Sequence, residues 1–263
     1  MNILVTNDDG IFSPGVAALA EVLQHFAEVH VVCPDKEKSG VSHSITKNEL
    51  LEARQVTIFG SNVQAWVVNG TPTDCVKLGL EVLLKERPDY VISGINFGPI
   101  LGRDVYYSGA MAAVAEASLY GISAIAVSLS RKDTKDVNFQ HPKRLFYDVM
   151  ESILENKFPK GVFLNINLPY MTKETCSGIA VVPLDLKLNR FRYVGLKDQH
   201  GQLYYSLRDT QNVPQIDESD YRRLKEGYIT ITPLDGMRTY KRHVRKVEKW
   251  FSSKTTILIE ESS

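Results

Sequence analysis

Short apolar segments rich in β-branched residues alternate with helical segments through the first two thirds of the chain, and this alternation constrains the fold more than any other feature. The start shows the pattern: residues 2–6 are typical of a buried strand, Ser13-Pro14 begins a helix, and residues 28–34 form a second strand. Further strands are predicted at 88–94, 123–130 and 161–169, with helical segments between them. Such alternation predicts a mostly parallel sheet between two helical layers, an α/β/α fold.

The pattern changes after residue 185. Residues 189–209 predict two aromatic-rich strands around His200-Gly201, which is a β-hairpin. An isolated hairpin is marginally stable in water, so we expect an arm that packs on the core or on another subunit. A short helix, a strand and a basic helix follow, at 219–227, 228–234 and 240–253. We therefore divide the chain into an α/β/α core, 1–185, and an oligomerising C-terminal extension, 186–263, that is not an independent domain.

Positive and negative side chains balance, with 31 Lys and Arg against 31 Asp and Glu. This balance removes the usual electrostatic reason to expect nucleic acid or an anionic membrane as partner, and it leaves a small anionic molecule in a local pocket.

The three cysteines, Cys33, Cys75 and Cys176, form no CxxC motif, and an odd count argues against a disulfide framework. No secretory signal is visible and no window is long and apolar enough for a membrane span. We expect a cytoplasmic protein.

Polar side chains are concentrated in three segments, each at the end of a predicted parallel strand. The segments are 7–9 with Asp8 and Asp9, 34–46 with Ser39 and Gly40, and 93–109 with Asn96, Asp104, Ser108 and Gly109. In open α/β sheets, ligands bind outside the carboxyl ends of the strands, near the point where the strand order reverses. We therefore expect the three segments to converge on one crevice.

Adjacent carboxylates at the end of a buried strand need a physical reason, because a partly buried and uncompensated carboxylate costs several kcal/mol. Two carboxylates, a hydroxyl and an amide carbonyl are hard oxygen ligands of the kind that Mg²⁺ and Mn²⁺ prefer. Asp8 and Asp9 therefore predict one divalent cation. Gly40 and Ser108-Gly109 offer hydroxyl and backbone N–H groups, the latter at a helix N-terminus that favours anions. A cation beside an anion site predicts phosphate chemistry.

Other signatures are missing from the sequence. It contains no GxxxxGK[ST], no GxGxxG after the first strand, no HExxH and no GxSxG, which disfavours a P-loop, dinucleotide binding, histidine-zinc chemistry and an α/β-hydrolase. A signalling receiver module also has an acidic pair after its first strand, but it needs an Asp at the end of a central strand, where this chain has Ser93-Gly94. A non-catalytic nucleotide-binding or scaffold protein stays open, since fold does not dictate function.

Six segments in order resemble successive blocks of the SurE family of survival proteins. They read ILVTNDDGIFSPG, CPDKEKSGVSHSIT, NGTPTDCV, SGINFG, DVYYSGAMAA and ITPL. The resemblance runs from Met1 to about Leu234. It implies a Rossmann-like α/β/α core with a C-terminal hairpin arm that is exchanged between subunits, giving a homodimer or homotetramer.

The resemblance also implies an activity: a metal-dependent phosphatase of nucleoside 5′- and 3′-monophosphates, with a nucleotide as its small-molecule partner. By matching motif positions, the ligands of one Mg²⁺ or Mn²⁺ would be Asp8, Asp9, Ser39 and Asn96, of which Asp8, Asp9 and Asn96 would be catalytic. Ser108 and Gly109 would receive the phosphate, together with Ser39 and Gly40.

Two positions depart from the family pattern. Ile100 stands where the family usually has a second asparagine, and Ala110 stands where it has threonine. These departures bear on substrate preference and turnover, and the alternative function is a catalytically weak or inactive nucleotide-binding protein of the same fold.

Overall fold

The computed structural model describes residues 1–131, 137–209 and 216–236, together with residue 247. The strands in these ranges are β1 (Asn2–Thr6), β2 (Glu28–Pro34), β3 (Ala53–Val56), β4 (Gln64–Val68), β5 (Tyr90–Phe97), β6 (Ser123–Leu129), β7 (Val162–Leu168), β8 (Ile179–Val181), β9 (Phe191–Lys197), β10 (Leu203–Asp209) and β11 (Ile229–Asp235). The α-helices are α1 (Pro14–Leu23), α2 (Pro72–Leu78), α3 (Gly109–Leu119), α4 (Gln140–Leu154) and α5 (Asp220–Lys225).

Nine strands form one sheet, in the order β3-β4-β2-β1-β5-β6-β7-β11-β8. Neighbours from β4 to β7 pair in parallel, as do β11 and β8, whereas the β3–β4 and β11–β7 pairs are antiparallel. Strands β9 and β10 form a separate antiparallel hairpin. The α/β fold with a mostly parallel sheet and a C-terminal hairpin is confirmed.

Each face of the sheet carries its own hydrophobic core. Successive residues of a strand point to opposite faces, so Ile3 and Val5 of β1 pack with α1 and α4, while Leu4 packs with α2 and α3. Helix α3 lies close to the sheet because its inner side chains are small, and Ala113 and Ala117 are fully buried. The two cores make the predicted three-layer arrangement.

The strand order reverses beside β1, which lies between β2 on one side and β5 on the other. Three connections leave the sheet at the carboxyl ends of these strands. We call them the first loop (7–13, after β1), the second loop (35–46, after β2) and the third loop (98–108, after β5). Since ligands of open α/β sheets bind at this reversal, the fold places all three loops at the expected position.

Several predicted boundaries were wrong. The strand predicted at 88–94 continues to Phe97, because a register shift between Ser93 and Asn96 lets β5 keep its pairing with β6 beyond Gly94. Gly94 allows this because a Cβ there would lie 2.3 Å from the carbonyl oxygen of Val127. The helical segment before β5 is also not one continuous α-helix, because α2 ends at Leu78 and a short π-helical turn, Gly79–Leu83, follows it.

The C-terminal extension contributes directly to the main sheet. Strand β11 lies between β7 and β8, and the sequence analysis did not predict β8. The division of the chain at residue 185 stays a prediction, but β11 is a strand of the same sheet as β1. The basic helix predicted at 240–253 lies outside the described residues, apart from residue 247. Within the described ranges, no helix is long and apolar enough to cross a membrane.

Gly15 shows how closely α1 approaches the strand that carries Asn96. A Cβ at Gly15 would lie 2.0 Å from the carbonyl oxygen of Ile95 in β5. Helix propensity alone favours alanine over glycine. We nevertheless expect Gly15→Ala to lower the free energy of unfolding by about 1–3 kcal/mol, because the helix must move away from the strand. Denaturant unfolding measures this.

The exposed residue Ala17 provides the control on the same helix. Ala17→Gly changes propensity without changing a contact, so it should lose about 1 kcal/mol. A Gly15→Ala variant that is as stable as the parent would contradict the close approach of α1 to β5.

Candidate active site

Asp8 is held at the end of β1 by backbone groups from the other two loops. The amide of Asn7 donates to the carbonyl oxygen of Gly10 at 2.9 Å and closes the first loop, where Gly10 has a positive φ of 95°. The Asp8 carboxylate accepts from the backbone N–H of Ala110 at 3.2 Å, at the start of α3. Its own carbonyl oxygen accepts from Lys38 N–H of the second loop at 2.7 Å. Asp8 therefore joins the three loops.

Asp9 has a different backbone partner. Its carboxylate accepts from the backbone N–H of Phe97 at 3.0 Å, at the end of β5. Burial raises the pKa of Asp8 to about 6, although backbone hydrogen bonds partly offset the effect. Burial and the adjacent Asp8 charge raise the pKa of Asp9 to about 7, and Glu37 adds to both increases. The fold thus concentrates negative charge where water cannot solvate it well.

Asn96 provides a test of whether the residues fit a cation. It is 2% exposed, and its Nδ2 donates to the carbonyl oxygens of Val127 at 3.2 Å and Ser93 at 3.4 Å. Its Oδ1 is buried and accepts no hydrogen bond. A buried oxygen without a donor near two carboxylates with raised pKa values fits a hard divalent cation.

No group of three or more His, Cys, Asp and Glu side chains suited to a metal occurs among the described residues. A cation at this edge would therefore need amide and hydroxyl oxygens beside the carboxylate pair. Asn96 and Ser39 are of the required types, and a donor set made only of oxygen atoms suits a hard cation such as Mg²⁺ or Mn²⁺.

The second loop brings Ser39 and Gly40 to this region. Ser39 is exposed, and its hydroxyl donates to the Glu37 carboxylate at 2.7 Å, so the oxygen keeps its lone pairs for another partner. Gly40 has a positive φ of 74° and lines the same cleft as Asp8. Lys38, directly before Ser39, makes the backbone bond to Asp8.

The third loop ends in the N-terminus of α3. Ser108 caps this helix, since its Oγ accepts from the backbone N–H of Met111 at 3.1 Å. The N–H groups of Gly109 and Ala110 hydrogen bond to the Asp8 carboxylate, so the positive end of the helix faces an anion. A side chain at Gly109 would be tightly packed against the second loop, because its Cβ would lie 3.2 Å from the carbonyl oxygen of Lys38.

A cleft of about 900 Å³ opens above these groups. Of the predicted site residues, Asp8, Gly40 and Ser108 line it, whereas Asp9 lines an adjoining pocket of about 400 Å³. Phe97 lines both openings. The cleft wall also contains Tyr107, whereas Tyr106 is not part of it.

Sequence reasoning missed the contribution of the C-terminal arm, which we define as β9, β10 and their connection. Five successive residues at the base of the arm line the cleft, namely Asn189, Arg190, Phe191, Arg192 and Tyr193. Arg190 donates to Asp104 of the third loop at 2.9 Å. The arginines and aromatic residues of the NRFRY segment could have indicated a contact with an anionic ligand, but the sequence does not say where a hairpin lies relative to the sheet.

Two buried asparagines of β7 were also missed. Asn165 and Asn167 donate to the carbonyl oxygen of Ile100 at 2.8 and 3.1 Å, and Asn167 accepts from Ile100 N–H at 2.8 Å. They fix the backbone of the third loop where this chain departs from the family pattern. Ile100 itself is 7% exposed and packs into the core under α3. At the other departure, Ala110, the contact with Asp8 comes from the backbone and survives the missing hydroxyl.

Fold and geometry together define an α/β protein with a candidate ligand site at the reversal point of a parallel sheet, where a carboxylate pair lies beside a helix N-terminus. Comparison with known proteins is more specific. The family model described as survival protein SurE matches residues 3–189. The chain belongs to the SurE family.

Individual relatives match over almost the whole chain. A 5′-nucleotidase SurE from Desulfatibacillum aliphaticivorans is 40% identical over 251 residues, which are 95% of this chain and 98% of that protein. A 5′-nucleotidase SurE from Carboxydothermus hydrogenoformans is 39% identical and covers 95% of this chain and 96% of its own length. The crystal structure of the SurE protein from Aquifex aeolicus superposes with a TM-score of 0.82 at 33% identity, over 96% of this chain and 100% of that one.

The raised pKa values of Asp8 and Asp9 predict how the stability of the metal-free protein depends on pH. In the folded state these carboxyls bind protons up to about pH 6 and 7, whereas the unfolded chain releases them near 3.8. The free energy of unfolding should therefore fall as the pH rises from about 4 to about 7, with about 1.4 kcal/mol for each pKa unit of difference. Thermal unfolding in EDTA measures this.

The control is the double variant Asp8→Asn/Asp9→Asn, in which neither side chain titrates. Its melting temperature in EDTA should exceed that of the parent by an amount that grows between about pH 4 and pH 7 and then levels off. A difference that is constant across this range would contradict the buried charge pair.

Proposed function

We propose that this protein is a phosphatase that hydrolyses nucleoside 5′- and 3′-monophosphates to nucleoside and phosphate. The observation that carries the proposal is the carboxylate pair Asp8-Asp9 at the reversal point of the sheet, where Asp8 is bound by the N-terminus of α3 and Asp9 by Phe97 N–H at the end of β5. Relatives with 40% and 39% identity over nearly their full length are named 5′-nucleotidases, which supports a catalyst over the non-catalytic alternative.

We infer that Asp8, Asp9, Ser39 and Asn96 hold one divalent cation, Mg²⁺ or Mn²⁺. The unpaired Oδ1 of Asn96 and the raised pKa values of the carboxylates support this assignment. When bound, such a cation supplies positive charge that polarises a phosphoryl oxygen and makes water more acidic. It also removes the cost of two adjacent buried charges.

The phosphate group lies in the cleft beside Asp8, where Ser108 and Gly109 present the N-terminus of α3 to it. Backbone N–H groups and the helix dipole favour an anion at this position. Gly40 lines the same part of the cleft and brings its backbone close without a side chain. These groups orient the phosphorus atom toward an attacking water.

The reaction forms one bond and breaks one. Water attacks phosphorus, the P–O bond to the nucleoside breaks, and the products are inorganic phosphate and a nucleoside hydroxyl. A carboxylate of the Asp8-Asp9 pair takes the proton that the water loses, and this proton passes to the leaving oxygen, directly or through solvent water, so the carboxylate is regenerated. Phe97 and Tyr107 line the cleft and offer ring faces on which a base stacks. A volume of about 900 Å³ accommodates a nucleotide.

We also propose assembly into a homodimer or homotetramer through the arm. Among the described strands, β9 and β10 pair only with each other, and they expose large side chains: Tyr193 is 73% exposed, Tyr205 66% and Leu207 53%. A two-stranded hairpin with exposed apolar side chains is marginal in water by itself, so a second copy of the chain is the natural partner.

We infer that the protein works in the cytoplasm. Cys33, Cys75 and Cys176 are all free, and Cys33 and Cys75 are buried. A chain with free thiols and no disulfide framework is typical of a reducing compartment.

Removing one carboxylate tests the proposed chemistry. Asp8→Asn should lower kcat/KM for a nucleoside 5′-monophosphate with added Mn²⁺ or Mg²⁺ by more than about a hundredfold, since loss of a group that merely supports a metal ligand already costs about 10–100-fold. Release of inorganic phosphate measures the rate. EDTA should abolish the parent activity, and excess Mn²⁺ should restore it.

Asp148→Asn is the matched control, because Asp148 pairs with Lys173 in a pocket that shares no residue with the cleft and should be neutral for turnover. Undiminished turnover in Asp8→Asn would remove this carboxylate from the mechanism. Saturable nucleotide binding by the parent without phosphate release, in either metal, would favour the non-catalytic alternative.

Deleting the arm tests the assembly. A variant in which Phe191–Asp209 is replaced by a short Gly-Ser linker should form a smaller species than the parent in multi-angle light scattering, because the exposed hairpin surface is gone. Tyr205→Ser is the point variant with the same expected direction. An unchanged mass for the deletion variant would refute assembly through the arm.

A further inference from the structure

The second loop reaches the proposed site without regular secondary structure, so other contacts must fix its position. Before Ser39, the N–H of Lys38 donates to the carbonyl oxygen of Asp8 at 2.7 Å. After Gly40, the N–H of Ser42 donates to the carbonyl oxygen of Tyr107 at 3.0 Å. The loop is therefore held on both sides of the residues proposed to touch cation and phosphate.

Ser42 shows that the surrounding contacts determine the path of this loop. Its φ is 52°, a left-handed conformation that residues other than glycine adopt rarely. Its hydroxyl donates to the carbonyl oxygen of Tyr106 at 2.8 Å, in addition to the backbone bond to Tyr107. Contacts with the third loop thus compensate for an unfavourable backbone conformation.

His43 adds a side-chain contact to these backbone contacts. Its Nε2 lies 2.9 Å from the carboxylate of Glu116 in α3, and the two side chains are 28% and 13% exposed. Glu116 is fixed from its other side, because Lys77 of α2 lies 3.4 Å from it and donates to the hydroxyl of Tyr120 at 2.8 Å. His43 therefore binds a carboxylate that is itself held in place by two helices.

The His43–Glu116 contact joins two parts of the proposed site, the second loop with Ser39 and Gly40 and the helix α3 with Ser108 at its N-terminus. His43 follows Ser39 and Gly40 by three to four residues, and Glu116 lies eight residues after Ser108 on the same helix. A helix is rigid over this length, about 12 Å, so the position of Glu116 fixes that of Ser108. The His43–Glu116 pair consequently ties the loop that carries Ser39 to the helix that receives the phosphate.

We propose that His43, held by Glu116, is a positioning residue for the phosphatase reaction. It fixes the position of the Ser39-Gly40 segment relative to the N-terminus of α3. This proposal rests on the proposed function. His43 does not line the cleft, and it acts through Ser39 and Gly40 rather than on the substrate. Without the pair, the segment loses its side-chain hydrogen bond to α3, and the cation and phosphate contacts weaken together.

The first test measures cation binding in the absence of substrate. His43→Ala should weaken Mn²⁺ binding to the free protein by about 10–100-fold, as expected when a group that orients a metal ligand is removed. The signal of unbound Mn²⁺ in electron paramagnetic resonance reports the affinity. His25→Ala is the matched control, because His25 lies between α1 and α4 next to Tyr147 and should leave Mn²⁺ affinity unchanged.

Two further variants separate positioning from a general loss of structure. His43→Gln keeps a side-chain N–H that can donate to Glu116, so it should recover most of the Mn²⁺ affinity and of kcat/KM. Glu116→Ala should match His43→Ala, and the double variant should cost no more than either single change, since the two residues act as a unit. If His43→Ala does not fold, His43→Gln and Glu116→Ala still test whether the His43–Glu116 contact positions the second loop.

The outcomes are distinct from those that test the function. A parent enzyme without phosphatase activity overturns the proposed function itself. A parent that is active, with His43→Ala and Glu116→Ala both within twofold of its Mn²⁺ affinity and kcat/KM, overturns only the role of His43. Fully additive losses in the double variant, or no recovery in His43→Gln, would equally contradict positioning through Glu116.

Discussion

Burial of two neighbouring carboxylates at the end of β1 is the constraint on which the rest of the structure depends. Asp8 is 7% exposed, and the charges of Asp9 and Glu37 act on the same small region. Backbone N–H groups from the starts and ends of other elements partly compensate the charge, at Ala110 for Asp8 and at Phe97 for Asp9. Because these donors belong to α3 and β5, the carboxylates also determine how these two elements meet the end of β1.

The sheet explains why this concentration of charge is tolerated. The strands near β1 are paired on both edges and buried on both faces, so the first loop starts from a rigid position. Asn165 and Asn167 hold the third loop, and the contacts of Ser42 and His43 hold the second. A site that is fixed from several elements can keep an unfavourable charge arrangement for the sake of a ligand, as functional sites commonly do.

Much of this arrangement could be predicted from the sequence, because the signals are local. The β1-α1-β2 unit, the cap at Ser13-Pro14 and the alternation of strands and helices follow from patterns of a few residues. Parallel pairing then places Asp8, Ser39 and Ser108 at one edge without further information. The continuation of β5 to Phe97 escaped prediction, since glycine weakens a strand pattern and the register shift that carries the strand past Gly94 depends on β6.

The features that could not be predicted from the sequence depend on contacts between residues far apart in the chain. Strand β8 has three residues, too few for a pattern, and β11 is recognisable only as a strand, without its place between β7 and β8. The base of the arm reaches the cleft through Arg190 and its neighbours, and no local rule orients a hairpin relative to a sheet. The same holds for His43 and Glu116, which are 73 residues apart and meet only in the folded protein.

The most direct measurement is anomalous diffraction from crystals soaked in Mn²⁺, with data collected on both sides of the manganese absorption edge. We expect one anomalous peak per chain within coordination distance of the Asp8 and Asp9 carboxylates, about 2.0–2.3 Å, with the Asn96 Oδ1 among its neighbours. If the map shows no anomalous peak beside this pair, or shows a peak only elsewhere on the chain, the view that a cation compensates the buried charges is contradicted.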